Sequence, residues 1–241
     1  MVLLPQISRI YTHLSISRKY YDRNAGKVML CSRIKHTIIL QVIVMEKRAR
    51  TKYKIAEIIA NRWSPQAFLE KSIEKTKLTQ LFEAAQWAPS AFNEQPWRFI
   101  AAKKDDKENY AKMLSCLAEA NQQWAGRAPL LLLLVVSKNS SYNNEPNRWA
   151  MHDCGLALEN LLLEAVDLGL AAHPMAGFSV DAARKAFNIP EDFEPLVAVA
   201  VGYRADADTL DGALKERELD ERDRRPLDKT FFAGNWGNPF K

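Results

Sequence analysis

The chain has 241 residues, 47% of them hydrophobic and 26% charged, and a net charge of +5. That is a globular balance for one domain with appendages, and no uncharged apolar stretch reaches the roughly 18–20 residues of a membrane span. Nor does the charge mark a nucleic-acid binder: residues 1–44 hold seven basic residues and one acid, whereas 45–241 set 27 basic residues against 28 acidic ones. The excess sits in the leading segment, not in a basic cluster on a folded face.

Residues 1–44 read as a basic N-terminal extension, poorly ordered or not native, ending in the apolar stretch Thr37 to Val44. A signal peptide would place its apolar run nearer the start and follow it with small residues; here Met45-Glu46-Lys47-Arg48 follows. Met45 is therefore taken as the working start of a domain over 45–241. Residues 53–60 suggest a short helix. Thr76 to Trp87 place Leu78, Leu81, Phe82 and Ala85 at helical spacing. Trp97 to Ala102 reads as a strand, and Asp105 with Glu108 suggests a capping box that opens a helix to about Leu117. Pro129 to Val136 is a continuous apolar run, hence a strand buried on both faces.

Residues 147–168 form the longest helix candidate. Leu158, Leu161, Leu162 and Ala165 make one stripe, while Trp149, Cys154, Ala157 and Leu163 spread apolar surface round the helix. Such a helix is buried on more than one side, in the core or at a subunit interface. Gly169 supplies its stop. Ala183 to Phe187 is a short helix, and Pro195 to Tyr203 is a second apolar strand. The tail is arginine-rich and then aromatic, with Phe231, Phe232 and Trp236 suited to packing against a second subunit. The fold class is α+β, a central mixed sheet flanked by helices.

Two segments have the chemistry of a ligand site. Arg62, Trp63 and Ser64 set a guanidinium and a hydroxyl two residues apart, and a guanidinium fork matches a phosphate. Between Pro89 and Pro96 a stiffened loop carries Ser90, Ala91, Asn93 and Gln95. Its amides offer donor and acceptor together, as the edge of a heterocycle requires. Other candidates carry less. His152-Asp153-Cys154 are adjacent and do not share a helix face, so no metal site is expected. No G-x-G-x-x-G occurs, so a Rossmann nicotinamide domain is not supported. The three cysteines, Cys31, Cys116 and Cys154, form no C-x-x-C pair, which fits a reducing compartment such as the cytoplasm.

Ala88 to Phe99 resembles the nitroreductase-family signature A-P-S-x-x-N-x-Q-P-W-x-F. Four further segments follow the family in order: Arg62-x-Ser64, Asn121 ahead of Ala128-Pro129, His173 to Phe178, and Arg222-Asp223-Arg224-Arg225-Pro226. The resemblance implies a homodimer with FMN at the interface and residues from both subunits at each site. It assigns Arg62, Ser64, Arg222 and Arg224 to the phosphate and ribityl end, with Trp63 and Gln66 in the same turn. Pro89, Ser90 and Ala91 would come from the partner. Asn93, Gln95 and Asn121 would meet the ribityl chain or the ring edge. Met175, Ala176 and Gly177 would lie near the reactive face, where glycine permits close backbone approach.

Three features depart from the pattern: Gln66 stands where some members have a basic residue, Ala176 where some have an acid, and the His173-Pro174-Met175 start of the loop would set an imidazole and a thioether near the flavin. The resemblance implies electron transfer from NADH or NADPH to a nitroaromatic, quinone or enone by a ping-pong route. The chemistry would be carried by FMN, with no catalytic amino acid named; His173 fits a supporting place better than a proton donor. A same-fold dehalogenase or dehydrogenase, with the polar segment 138–147 as a lid, remains open. So does a non-enzymatic FMN-binding redox sensor.

Overall fold

The computed structural model describes residues 47–240, so the extension read at 1–44, Cys31 included, lies outside the described residues. Within them the elements run α1 (Glu57–Asn61), α2 (Lys75–Gln86), β1 (Trp97–Lys103), α3 (Lys107–Cys116), α4 (Glu119–Ala125) and β2 (Leu130–Ser137). They continue as α5 (Ala150–Asp167), β3 (Ala171–Met175), α6 (Val180–Ala186), β4 (Phe193–Gly202) and α7 (Gly212–Leu219). The fold is α+β, and none of these helices is long and apolar enough to cross a membrane.

β2 is the apolar run, and all but its last residue is buried. A strand buried on both faces needs a pairing partner on each edge and a layer on each side. Its partners are β1 and β4, and β3 closes the far edge in the order β1-β2-β4-β3. Alternate residues serve opposite layers. Leu131, Leu133 and Val135 meet Tyr110 and Met113 of α3, Trp124 of α4 and Ala183 of α6. Leu130 and Leu132 meet Leu81 of α2 and Leu161 and Leu162 of α5.

The sheet is not mixed, as the sequence suggested, because every pairing is antiparallel. The reason lies in strand order. β2 and β3 do run in the same direction and are joined by α5, as in a βαβ unit. But β4, the last strand, is inserted between them and opposes both.

Local differences have local causes. Asp106, not Asp105, caps α3, its carboxylate accepting from Asn109 N at 3.3 Å, while Asp105 pairs with Lys103 at 3.0 Å. The segment read as a loop from His173 onward begins as β3; its Pro174 sits in an edge strand, where a missing N–H is tolerated. Within one chain α5 buries Ala150, Asp153, Cys154, Ala157, Leu161, Leu162 and Ala165, whereas Trp149 and Met151 stay exposed.

Candidate functional site

α1 ends at Asn61, and the turn that follows, Arg62 to Phe68, is fixed from three directions. Phe68 bridges to Arg204 just beyond β4, and the backbone pairs Leu69 N with Tyr203 O and Ala205 N with Ala67 O. Glu218 of α7 accepts Gln66 N at 2.7 Å and Ala67 N at 3.4 Å. His173 of β3 meets Pro65 O through Nδ1 at 2.8 Å. The Trp63 ring carries Lys47 Nζ at 4.6 Å and the Arg204 guanidinium at 5.3 Å from its centroid.

Cations crowd this turn, with Glu218 the buried carboxylate among them. Burial pulls the Arg222 guanidinium below its usual value, and the nearby charges of Arg62 and Arg224 push the same way. Arg222 is oriented by the carbonyls of Lys47 and Ala60, each at 2.8 Å from Nη1. Arg62 differs. Its side chain is only 18% exposed, yet it makes no hydrogen bond among the described residues, and its ion pair to Glu159 stands at 4.0 Å. A guanidinium carries five donors in a fixed fork, and within the described residues this one engages only Glu159, at 4.0 Å. Arg224 is exposed and donates to its neighbour's carbonyl, Asp223 O, at 2.6 Å.

The end of β3 lies beside this cluster. Trp124 of α4 meets the His173 ring at a tilt, 4.5 Å between centroids, and stacks on Phe68 at 6.2 Å. Asn121, one turn earlier on α4, donates through Nδ2 to Gly177 O at 2.9 Å, and Ala118 N donates to the same carbonyl. A Cβ on Gly177 would stand 2.7 Å from Asn121 Nδ2, so only glycine brings this backbone so close. Met175 is buried, whereas Ala176 and Gly177 are exposed. Arg62, Trp63, Ser64, Gln66, Asn121, Met175, Ala176, Gly177, Arg222 and Arg224 thus converge on one region.

Burial lowers the His173 pKa from the usual 6.5; the Pro65 carbonyl opposes this and the Arg62 charge reinforces it. The ring is neutral, and because a carbonyl only accepts, Nδ1 carries the hydrogen. His173 Nδ1 therefore donates to the Pro65 carbonyl and supports the turn. With the folded value below the unfolded one, the unfolded chain takes up the proton first as pH falls. The contribution is full above about 6.5 and is lost as pH falls through the lowered value. The thermal midpoint is expected to drop across that window, and His173→Gln is expected to flatten that part of the profile. An identical pH profile in the variant would show that the ring is not held neutral.

Pro89, Ser90, Ala91, Asn93 and Gln95 are not brought to this region within one chain. They precede β1, whereas Met175 ends β3 on the opposite edge of the sheet. Three strand spacings of about 4.8 Å lie between those edges. The loop is built with care nonetheless. Phe92, Asn93 and Gln95 adopt φ of 54, 56 and 47°, a left-handed backbone that costs non-glycine residues energy. Ser90 Oγ accepts Gln95 N at 3.0 Å, and Asp153 of α5 accepts Ala91 N at 2.9 Å. Glu94 accepts from Ser140 Oγ at 2.6 Å and Ser141 N at 2.9 Å, tying the loop to the 138–147 segment. Phe92 projects, 95% exposed.

Sequence reasoning missed Trp124 and Glu218, and it weighed Asp153 only as a metal ligand. The family pattern does not name them, and each owes its place to contacts far along the chain.

A solved crystal structure described as an oxidoreductase containing FMN is 34% identical, covers 78% of this chain and 96% of its own, and superposes with a TM-score of 0.74. A Methanothermobacter thermautotrophicus protein, provisionally named an NADH dehydrogenase/NAD(P)H nitroreductase, is 28% identical over 184 residues, 74% of this chain and 89% of its own. A 15.4 kDa Mycolicibacterium smegmatis protein is 34% identical over 148 residues, 59% of this chain and 99% of its own. The sequence model of the Nitroreductase family matches residues 59–203, which contain every candidate site residue except Arg222 and Arg224. The chain belongs to the nitroreductase family.

Proposed function

We propose that this chain is an FMN-dependent oxidoreductase that passes electrons from NADH or NADPH to an electron-poor organic acceptor, a nitroaromatic, quinone or enone, with a second copy completing each site. The observation that carries the reading is Arg62, a mostly buried guanidinium without a hydrogen bond, beside Arg222 and Arg224. Like charges held together at this cost call for an anion.

The residues suit FMN in three respects. Arg62, Arg222, Arg224 and Ser64 supply cationic forks and a hydroxyl for a phosphate. The Gln66 carboxamide ends in a buried oxygen with no partner among the described residues, and a half-turn of that group offers a donor instead. Gly177 keeps its backbone exposed beside Asn121, where a Cβ would crowd the Asn121 carboxamide. FMN would supply the redox chemistry, taking a hydride equivalent from a nicotinamide and yielding it to the acceptor. The chain's own residues anchor the phosphate, fix the backbone beside the ring, and keep His173 neutral beneath the turn.

The homodimer rests on the loop. Ser90, Ala91, Asn93 and Gln95 stand at the far edge of the sheet from Gly177, so a second copy can deliver them where one chain cannot. Trp87, Phe92, Trp149 and Met151 are exposed apolar side chains on or near that loop and the start of α5, suited to burial between subunits. A cytoplasmic setting accords with the free, buried thiols of Cys116 and Cys154.

The test is spectroscopic. The purified full chain is expected to carry flavin absorbance that NADH or NADPH bleaches without air, and menadione is expected to restore it. Initial rates should give the parallel double-reciprocal lines of a ping-pong route. Bound flavin that neither nicotinamide reduces would leave the binding reading standing and overturn the reductase.

A further inference from the structure

Two carboxylates are buried among the described residues, Asp153 at 2% and Glu218 at 6% exposure. A buried carboxylate is retained at a cost unless it is well bonded, and each of these is bonded to the backbone of one half of the proposed site. Glu218 accepts Gln66 N and Ala67 N, which follow Arg62 and Ser64. Asp153 accepts Ala91 N with Oδ2, and its Oδ1 stands 2.9 Å from His152 Nδ1.

We infer that Glu218 and Asp153 are positioning residues, one for each half-site: Glu218 sets the phosphate turn of its own subunit, and Asp153 sets the loop that its subunit lends to the partner. This rests on the FMN reading above. The settings of the two differ, and so do their expected signatures. Glu218 faces Lys47 and Arg204, which also flank Trp63. Burial pushes its pKa up, while the two amides and these two cations pull it back. Its job is reach: it must span from α7 to the turn. Its negative charge, taken alone, opposes an anionic ligand, so a variant that keeps the charge and shortens the arm isolates positioning. Asp153 holds a loop with three residues in left-handed backbone. There, what matters is an acceptor for Ala91 N.

Apoprotein of the full chain is titrated with FMN and with riboflavin, which lacks the phosphate, by flavin fluorescence. Glu218→Asp is expected to weaken FMN by about tenfold and riboflavin by less than about twofold, the loss of a set of charge-assisted bonds at the phosphate alone. Asp153→Ala is expected to weaken both ligands alike, by about tenfold. Asp153→Asn, which keeps an acceptor for Ala91 N, is expected to restore most of that loss. General destabilisation would move both ligands together for Glu218→Asp and would not be rescued at Asp153.

A trans-complementation separates positioning from misfolding. Glu218→Asp and Asp153→Ala chains are co-expressed with different tags, and doubly tagged dimers are isolated. One site then combines both defects, and the other takes an intact turn from one chain and an intact loop from the other. One FMN per mixed dimer at wild-type affinity is expected, against weakened binding in either homodimer. Wild-type affinity in both single variants, equal loss of both ligands in Glu218→Asp, or mixed dimers without a restored site would overturn the inference. A wild-type chain that binds no FMN would instead overturn the reading on which it rests.

Discussion

Arg62→Ala is expected to weaken FMN binding by about 1.5–3 kcal/mol, roughly ten- to a hundredfold, the range for charge-assisted hydrogen bonds to one ionised group. The same substitution should leave the cofactor-free chain as stable as before, or slightly more so. The Arg62 side chain makes no hydrogen bond among the described residues, its pair with Glu159 is at 4.0 Å, and its charge raises the electrostatic cost of Arg222 and His173. Removing it sheds repulsion and loses little attraction. The opposite signs are the diagnostic: calorimetry of FMN binding falls while apoprotein unfolding does not. Arg224→Ala should act in the same direction and less strongly, because Arg224 is exposed. Arg222→Ala would confuse the two measures, since its side chain also ties the Lys47 and Ala60 carbonyls together. Full FMN affinity in Arg62→Ala would refute the phosphate assignment.

Trp124→Ala is expected to cost about 3–5 kcal/mol of folding stability, the range for truncating a large buried aromatic. The indole is fully buried between Phe68 and His173 and belongs to the core against one face of β2. The consequence reaches the site through packing. His173 loses the ring beneath it, and with it the support of Pro65 and the turn that carries Arg62. Denaturant unfolding should show the loss as an earlier midpoint at unchanged slope. Trp124→Phe should cost less, because it retains an aromatic ring and removes an indole N–H that is buried without a partner among the described residues. A loss under about 1 kcal/mol in Trp124→Ala would mean that the surroundings collapse onto the gap.

Sequence legibility followed the range of the interactions. β2 was plain because its burial on both faces is written in its own eight residues. The Ala88 to Phe99 segment was plain because its fixed spacing carries a local design of two prolines, a hydroxyl and amides. β3 was obscure: five residues, Ala-Ala-His-Pro-Met, are too few to show a period, and the edge position that admits Pro174 is a property of the sheet. α4 was obscure because Asn121, Gln122 and Gln123 blur its stripe, and α7 because it is polar and opens on Gly212 at φ +52°. The approach of Arg222 to Arg62 spans 160 positions, so the family pattern supplied it where periodicity could not. Glu218 was the hardest to see. On a polar helix a glutamate looks solvated, and only the packing of α7 against the Arg62 turn makes it a buried acceptor.

The position of β4 also bears on how the protein comes into being. A ribosome releases β1, β2 and β3 before β4, yet β4 belongs between β2 and β3. Until residue 202 has emerged, β2 presents an unsatisfied backbone edge, and β3 has no strand to join. Assembly therefore closes from the outside inward, around the element that arrives last. Its pairing with β2 joins segments far apart in the chain, and such topologies fold slowly and expose sticky edges while they wait. A nascent chain stalled in the β3–β4 connection would hold most of the apolar sequence of the core and none of the strand that shields it, which makes that stretch of translation the interval of greatest exposure to aggregation.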